Sequence, residues 1–136
     1  MNKYTSLQSD VYSIFSAAAW LSENIKTIPV NFTGTGLGNE YIRVAIVASG
    51  TGDRLPLRAV TGQLMIEIFT PAGGGPLRAA QIADKLDTYL VGKTLQVPPN
   101  GNTQLGMSSL AAQTVDSANP SLSRSVYSIS FNYFGI

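Results

Sequence analysis

The chain has 136 residues and a formal net charge of +1, and it contains neither cysteine nor histidine. These absences exclude a disulfide framework, a zinc–thiolate site, a thiol nucleophile, and imidazole in acid–base or metal chemistry. A charge so close to zero also argues against a dedicated nucleic-acid binder, which clusters Lys and Arg against phosphate.

The length suits a single domain over residues 1–136. Charged residues make up 12% of the chain against 44% apolar ones, which is about half the charge of an ordinary soluble domain. Uncharged polar residues and glycine must therefore fill much of the surface. Such a surface suits packing against other subunits, where charge costs desolvation; a sticky monomer is the alternative. No run approaches the length of an apolar membrane span. Ser6, Gln8, Ser9 and Asp10 interrupt the first apolar segment, so no secretory signal is expected. The Asn31-Phe32-Thr33 sequon then carries no expectation of glycosylation.

In chain order, residues 6–26 are predicted to form a helix. Leu7, Val11, Ile14, Phe15, Ala18, Leu21 and Ile25 recur at spacings of three and four on one face. Ser9 or Asp10 is the candidate cap, Ala17 to Ala19 favour the helix, and Pro29 stops it. Trp20 flanks the apolar face, as a core residue or an interface anchor. Residues 28–33 are a short extended piece and residues 33–39 a Gly-rich loop. A strand follows over 40–49, with Tyr41, Arg43 and Ala45 alternating against Ile42, Val44 and Ile46. Residues 50–59 contain Gly, Asp, Arg and Pro and are predicted to form an extended hairpin loop. The next strand, 60–70, sets Leu64, Ile66 and Ile68 against Met65, Glu67 and Phe69. Glu67 is placed to line a lumen, to pair with Arg43 on a neighbouring strand, or simply to face solvent.

Residues 71–76 break the pattern. A second helix over 76–90 carries Leu77, Ala80, Ala83, Leu86 and Leu90 at helical spacing. Pro76 suits its first turn and Gly92 lies just past its end. Residues 93–97 form a short strand, 98–102 a turn, and 105–115 a strand of weak alternation. In the last strand Tyr127, Ile129, Phe131 and Tyr133 face one way and Val126, Ser128, Ser130 and Asn132 the other. The order predicts an α+β fold, a mainly antiparallel mixed sheet with two α-helices packed on one face.

No catalytic, cofactor or metal site is expected. The Pro71-Ala-Gly-Gly-Gly-Pro76 stretch sits where a phosphate loop would, yet Leu77 and Arg78 follow in place of the required Lys-Ser or Lys-Thr. Gly34, Gly36 and Gly38 precede a strand rather than a helix, unlike a dinucleotide fingerprint. Asp84 and Asp87 share a helix face without a third ligand and are expected to be solvated.

The central block carries a resemblance. Tyr41-Ile42-Arg43-Val44, then Thr61-Gly62 leading to Phe69-Thr70-Pro71-Ala72-Gly73, then Ala83-Asp84-Lys85-Leu86 on a helix, is similar to the tail terminator-like proteins of long-tailed bacteriophages. The leading helix and the 124–134 strand fall in the same order, so the resemblance spans most of the chain. It implies a virion structural protein that assembles in the bacterial cytoplasm, with no enzymatic activity. Such a protein forms a ring, usually a hexamer, at the head-proximal end of the tail. There it stops tube polymerisation and offers a surface to the head connector, while DNA passes through the lumen without specific binding. Its partners would be further copies of itself, the tail tube protein and the head completion protein, and no membrane.

A ring needs head-to-tail contacts that close. The 50–59 loop supplies candidate contact residues, Asp53, Arg54, Leu55, Leu57 and Arg58, with Arg54 and Arg58 placed to meet a neighbour's carboxylates. Solvated hairpin charges are the plainer reading. Sheet edges offer a second route, by strand addition. The rival functions are another head–tail completion or tail-tube protein, and a small ligand-binding domain.

Overall fold

The computed structural model describes residues 3–32, 37–54, 57–96, 102–111, 114–115 and 119–135. Strict alternation in three long strands produces a sheet with one apolar face. These strands are β2 (Tyr41–Arg54), β3 (Leu57–Pro71) and β7 (Leu122–Gly135). Shorter strands extend it: β1 (Thr27–Pro29), β4 (Thr94–Gln96), β5 (Asn102–Leu110) and β6 (Thr114–Val115). The order across the sheet is β1-β2-β3-β7-β5-β4, with β6 also pairing β7. Among the described strands only β1–β2 is parallel; the other pairs are antiparallel.

The core lies between the apolar face and the helices. Ile42 and Val44 of β2, Leu64, Ile66 and Ile68 of β3, and Tyr127, Ile129, Phe131 and Tyr133 of β7 are all buried there. Helices α1 (Lys3–Ser16), α2 (Ala18–Leu21) and α3 (Leu77–Leu90) close it, with Leu7, Val11, Ile82, Leu86 and Leu90 in the same cluster. The fold is thus α+β, a largely antiparallel mixed sheet covered by helices on one face.

The first helix departs from expectation. It breaks at Ala17, which is extended (φ −70°, ψ 148°), and resumes for one turn. In an unbroken helix Trp20 would lie about 140° around the axis from Phe15. The break instead carries Trp20 into the core, where it is fully buried. Its ring meets Phe15 and Tyr89 edge-on at 5.3 and 5.4 Å, and Nε1 donates to Thr27 Oγ1 at 2.9 Å. Burial of the largest side chain outweighs the helix preference of three alanines, each worth only tenths of a kcal/mol. In consequence Leu21, predicted on the core face, is 60% exposed, and Ala18 is exposed too. Nor do Ser9 and Asp10 cap a helix that begins at Lys3. Asp10 is buried in mid-helix and accepts a 2.8 Å hydrogen bond from Thr103 Oγ1.

The second correction concerns residues 50–59, which form no loop. β2 runs on to Arg54 and β3 starts at Leu57, paired through Gly50↔Thr61, Gly52↔Ala59 and Arg54↔Leu57. A bulge at Ser49 shifts the register between Ala48 and Gly50. Gly62 lies across from it, and a Cβ there would stand 2.0 Å from the Val47 carbonyl oxygen, so only glycine fits. The predicted helix at 76–90 is confirmed as α3, and Gly92 follows it at φ +70°. Leu77 is 68% exposed, however, because Ala79, Ile82, Ala83, Leu86 and Leu90 form the buried stripe. The expected 105–115 strand divides into β5 and β6. Gly34, Gly36, and most of the 98–102 turn lie outside the described residues.

Candidate functional site

Of the residues singled out for contacts, Asp53 and Arg54 close β2, and Leu57 and Arg58 open β3. Leu55 lies outside the described residues. The register sets Asp53 across from Arg58 and Arg54 across from Leu57. All four share the tip of one hairpin at one end of the sheet. That hairpin is asymmetric. On one side β7 flanks β3 along its length, from Pro71↔Leu122 to Arg58↔Gly135. On the other side β1 pairs with β2 only at Ile42, Arg43 and Val44. The Val30 N–H adds a bond to the Val44 carbonyl at 2.8 Å. Beyond Val44, no described strand flanks β2 on its outer side.

The face of the sheet turned away from the helices carries a compact charged cluster. Glu67 on β3 sits between two arginines. Arg43 Nε donates to Glu67 Oε1 at 2.7 Å, and Arg124 Nε of β7 donates to Glu67 Oε2. Burial works to raise the Glu67 pKa, but the hydrogen bonds from Arg43 and Arg124 outweigh it and hold the carboxyl below its ordinary range. Beneath this group Tyr41 stacks on Phe69 at 4.6 Å, and the Arg43 guanidinium lies 5.2 Å over the Phe69 ring. Next to Tyr41, Glu40 accepts two bonds from Arg78 of α3. The Arg43–Glu67 pair was one of three readings open from sequence. Arg124 was not foreseen, because its neighbour on β3 lies far away in the chain.

Elsewhere on this face the exposed described residues Thr61, Gln63, Ser130 and Asn132 are uncharged. On the helix side, Asp84 is exposed as expected, but Asp87 is engaged. Its Oδ1 accepts from Tyr127 Oη and Ser108 Oγ, each at 2.6 Å. Burial and the Asp87 carboxylate push the Tyr127 phenol well above its ordinary value. The 71–76 stretch is a turn, with Ala72 N–H donating to the Ser121 carbonyl at 2.9 Å.

No family model matches the chain and no curated protein matches it. Among solved structures, a chain from the virion of a native gene transfer agent particle superposes with a TM-score of 0.71. The two share a fold. The match covers 98% of each chain at 16% sequence identity. A second solved chain, described without a function, matches at a TM-score of 0.71 and 15% identity, over 96% of this chain and 94% of that one. The virion chain therefore has this chain's architecture from end to end, with no large insertion on either side.

Proposed function

We propose that this chain is a structural component of a phage or phage-like virion, and within it a tail terminator. In this reading, copies close into a ring, six-membered by the family resemblance, on the last ring of the tail tube. The ring ends tube growth and presents its opposite face to the head completion protein. DNA crosses the lumen without specific binding, and the protein performs no catalysis.

The observation that carries the reading is the end-to-end match of fold with a chain of a gene transfer agent virion. The motif order from Tyr41 to Leu86 supports the narrower role. The surface is compatible with it: charge is sparse, and among the described residues no strand covers the outer side of β2 beyond Val44, where a neighbour could bind.

Native mass spectrometry with negative-stain imaging of the same sample tests the proposal. Closed rings of one stoichiometry that cap purified tail tubes and halt their growth are the expected result. Long stacked tubes formed by this protein alone would replace the terminator role with that of a tube subunit.

A further inference from the structure

We infer that the two lateral margins of the sheet are the two halves of one head-to-tail contact between copies of this chain. The margin of β5, carrying Met107, seats against the β1–β2 margin of the next copy. The inference rests on the ring reading and names the surfaces that would build it.

The first margin is the outer side of β2. From Ala45 to Gly52 it has no charged residue and no proline, and no described strand pairs with it beyond Val44. Long open edges of this kind are normally blunted by Lys, Pro or a covering element, because their free N–H and C=O groups template further pairing. Here the edge has the opposite character. Val47 is 50% exposed; Val30, whose N–H bonds the Val44 carbonyl, is 52% exposed, and Phe32, two residues further on, 56%. Just inside, between α1 and β1, Tyr12, Phe15, Ile28 and Pro29 line a cavity of about 210 Å³.

The second margin is the outer side of β5. β4 pairs with it only from Asn102 to Gln104. Two backbone bonds then continue the cover, Leu105 N–H to the Lys93 carbonyl and Gly92 N–H to the Gly106 carbonyl. At that point a bulge shifts the register between Leu105 and Ser108. It throws Met107 out to 84% exposure. Leu110 at 44% and Val115 at 62% continue the apolar margin.

The two margins differ in form, one bearing a cavity and the other a protruding thioether that adapts readily to a hollow. They lie on opposite sides of one sheet. Joining unlike, opposite surfaces makes a heterologous contact, which propagates from copy to copy until it closes. Strand addition supplies backbone hydrogen bonds, and the apolar residues supply burial.

Two variants test this, Val47→Glu on one margin and Met107→Glu on the other. Both positions are at least half exposed, and near-UV circular dichroism checks that the fold is kept; Val30→Glu replaces Val47→Glu if that variant melts. Each variant alone should sediment as a monomer, with self-association about thirtyfold weaker or more, as expected at a central contact. An equimolar mixture should form heterodimers and nothing larger, since each partner retains one working margin and the two are complementary. A wild-type protein that stays monomeric at every concentration would overturn the inference. So would a single variant that still forms the wild-type oligomer or a homodimer, or a mixture that yields no heterodimer. Rings that cap tails but survive both substitutions would sink these surfaces and leave the terminator reading standing. Heterodimers from the mixture, with wild-type protein growing into open tubes, would do the reverse.

Discussion

Around Trp20 the chain breaks a favourable helix at Ala17 to place one indole. Its two edge-on aromatic neighbours and its bond to Thr27 tie α2, α1, α3 and β1 together. Replacing Trp20 with Ala should cost about 3–5 kcal/mol, read as a lowered urea midpoint. Trp20→Phe should keep most of the burial and lose about 1 kcal/mol for the hydrogen bond. On the other face, Glu67 makes stability depend on acid. Its folded pKa lies below the ordinary value of about 4.3, so the stabilisation is complete above that value and is lost as pH falls through it toward the folded pKa. Glu40 is lowered as well, chiefly by its hydrogen bonds from Arg78. Stability should therefore decline below about pH 4, and Glu67→Gln should flatten that decline. The two arginines are more than a third exposed. Solvent screening accordingly limits the loss in Glu67→Gln at neutral pH to about 1 kcal/mol. A steep acid transition unchanged in the variant would show that other carboxylates control it.

At the scale of elements, what was legible in the sequence was whatever repeats with a simple period. Ile42–Val44, Leu64–Ile68 and Tyr127–Tyr133 each alternate, and all three became buried strand faces. Ala83, Leu86 and Leu90 of the α3 stripe were legible for the same reason, whereas Leu77 is exposed, Ala80 is only half-buried, and Ala79 and Ile82 take their places in the core. Local composition misled where tertiary pairing decided the outcome. Gly50, Gly52 and Asp53 read as a loop, yet the β3 partner strand holds them in a ladder. The Ala17 break was invisible because its cause is a core site for Trp20 that only the assembled fold creates. The hairpin yields two predictions. Gly62→Ala would press a methyl group into the Val47 carbonyl, which is backbone and cannot rotate away. The expected cost is about 2–3 kcal/mol, with loss of the hairpin register. In hydrogen exchange, the outward amides of β2 beyond Val44 should exchange early in the isolated chain and become protected on assembly. Equal protection in both states would mean that no neighbour covers that edge.

For the whole molecule, the sequence pointed to the hairpin but placed an extended loop over residues 50–59, where the two strands in fact continue. In the structure β2 and β3 are instead paired out to Arg54↔Leu57, and β7 flanks β3 from Pro71 to Arg58. Arg54 and Arg58 at the hairpin tip remain the natural test of contact with a neighbour or with the tail tube. Changing both to Glu should impair ring closure or tail capping while leaving the melting temperature within a few degrees; unchanged assembly would remove the tip from the interface. The open strand margins were only partly foreseeable. Strand addition was an available route, but which margin stays uncovered depends on how few residues β1 and β4 contribute.

The position of β7 has a further consequence, for folding kinetics. It lies at the centre of the sheet, between β3 and β5, yet it is the last strand in chain order. Arg58 must wait for Gly135, and Pro71 for Leu122. While the chain emerges from the ribosome, the β3 side of the β2–β3 hairpin therefore stays bare until β7 arrives. Contacts so distant in sequence place the domain among slow folders, with rates on the millisecond-to-second scale. In the proposed head-to-tail contact, the β5 margin takes its final geometry only when β5 pairs with β7, so that contact waits in each nascent chain until β7 has been made.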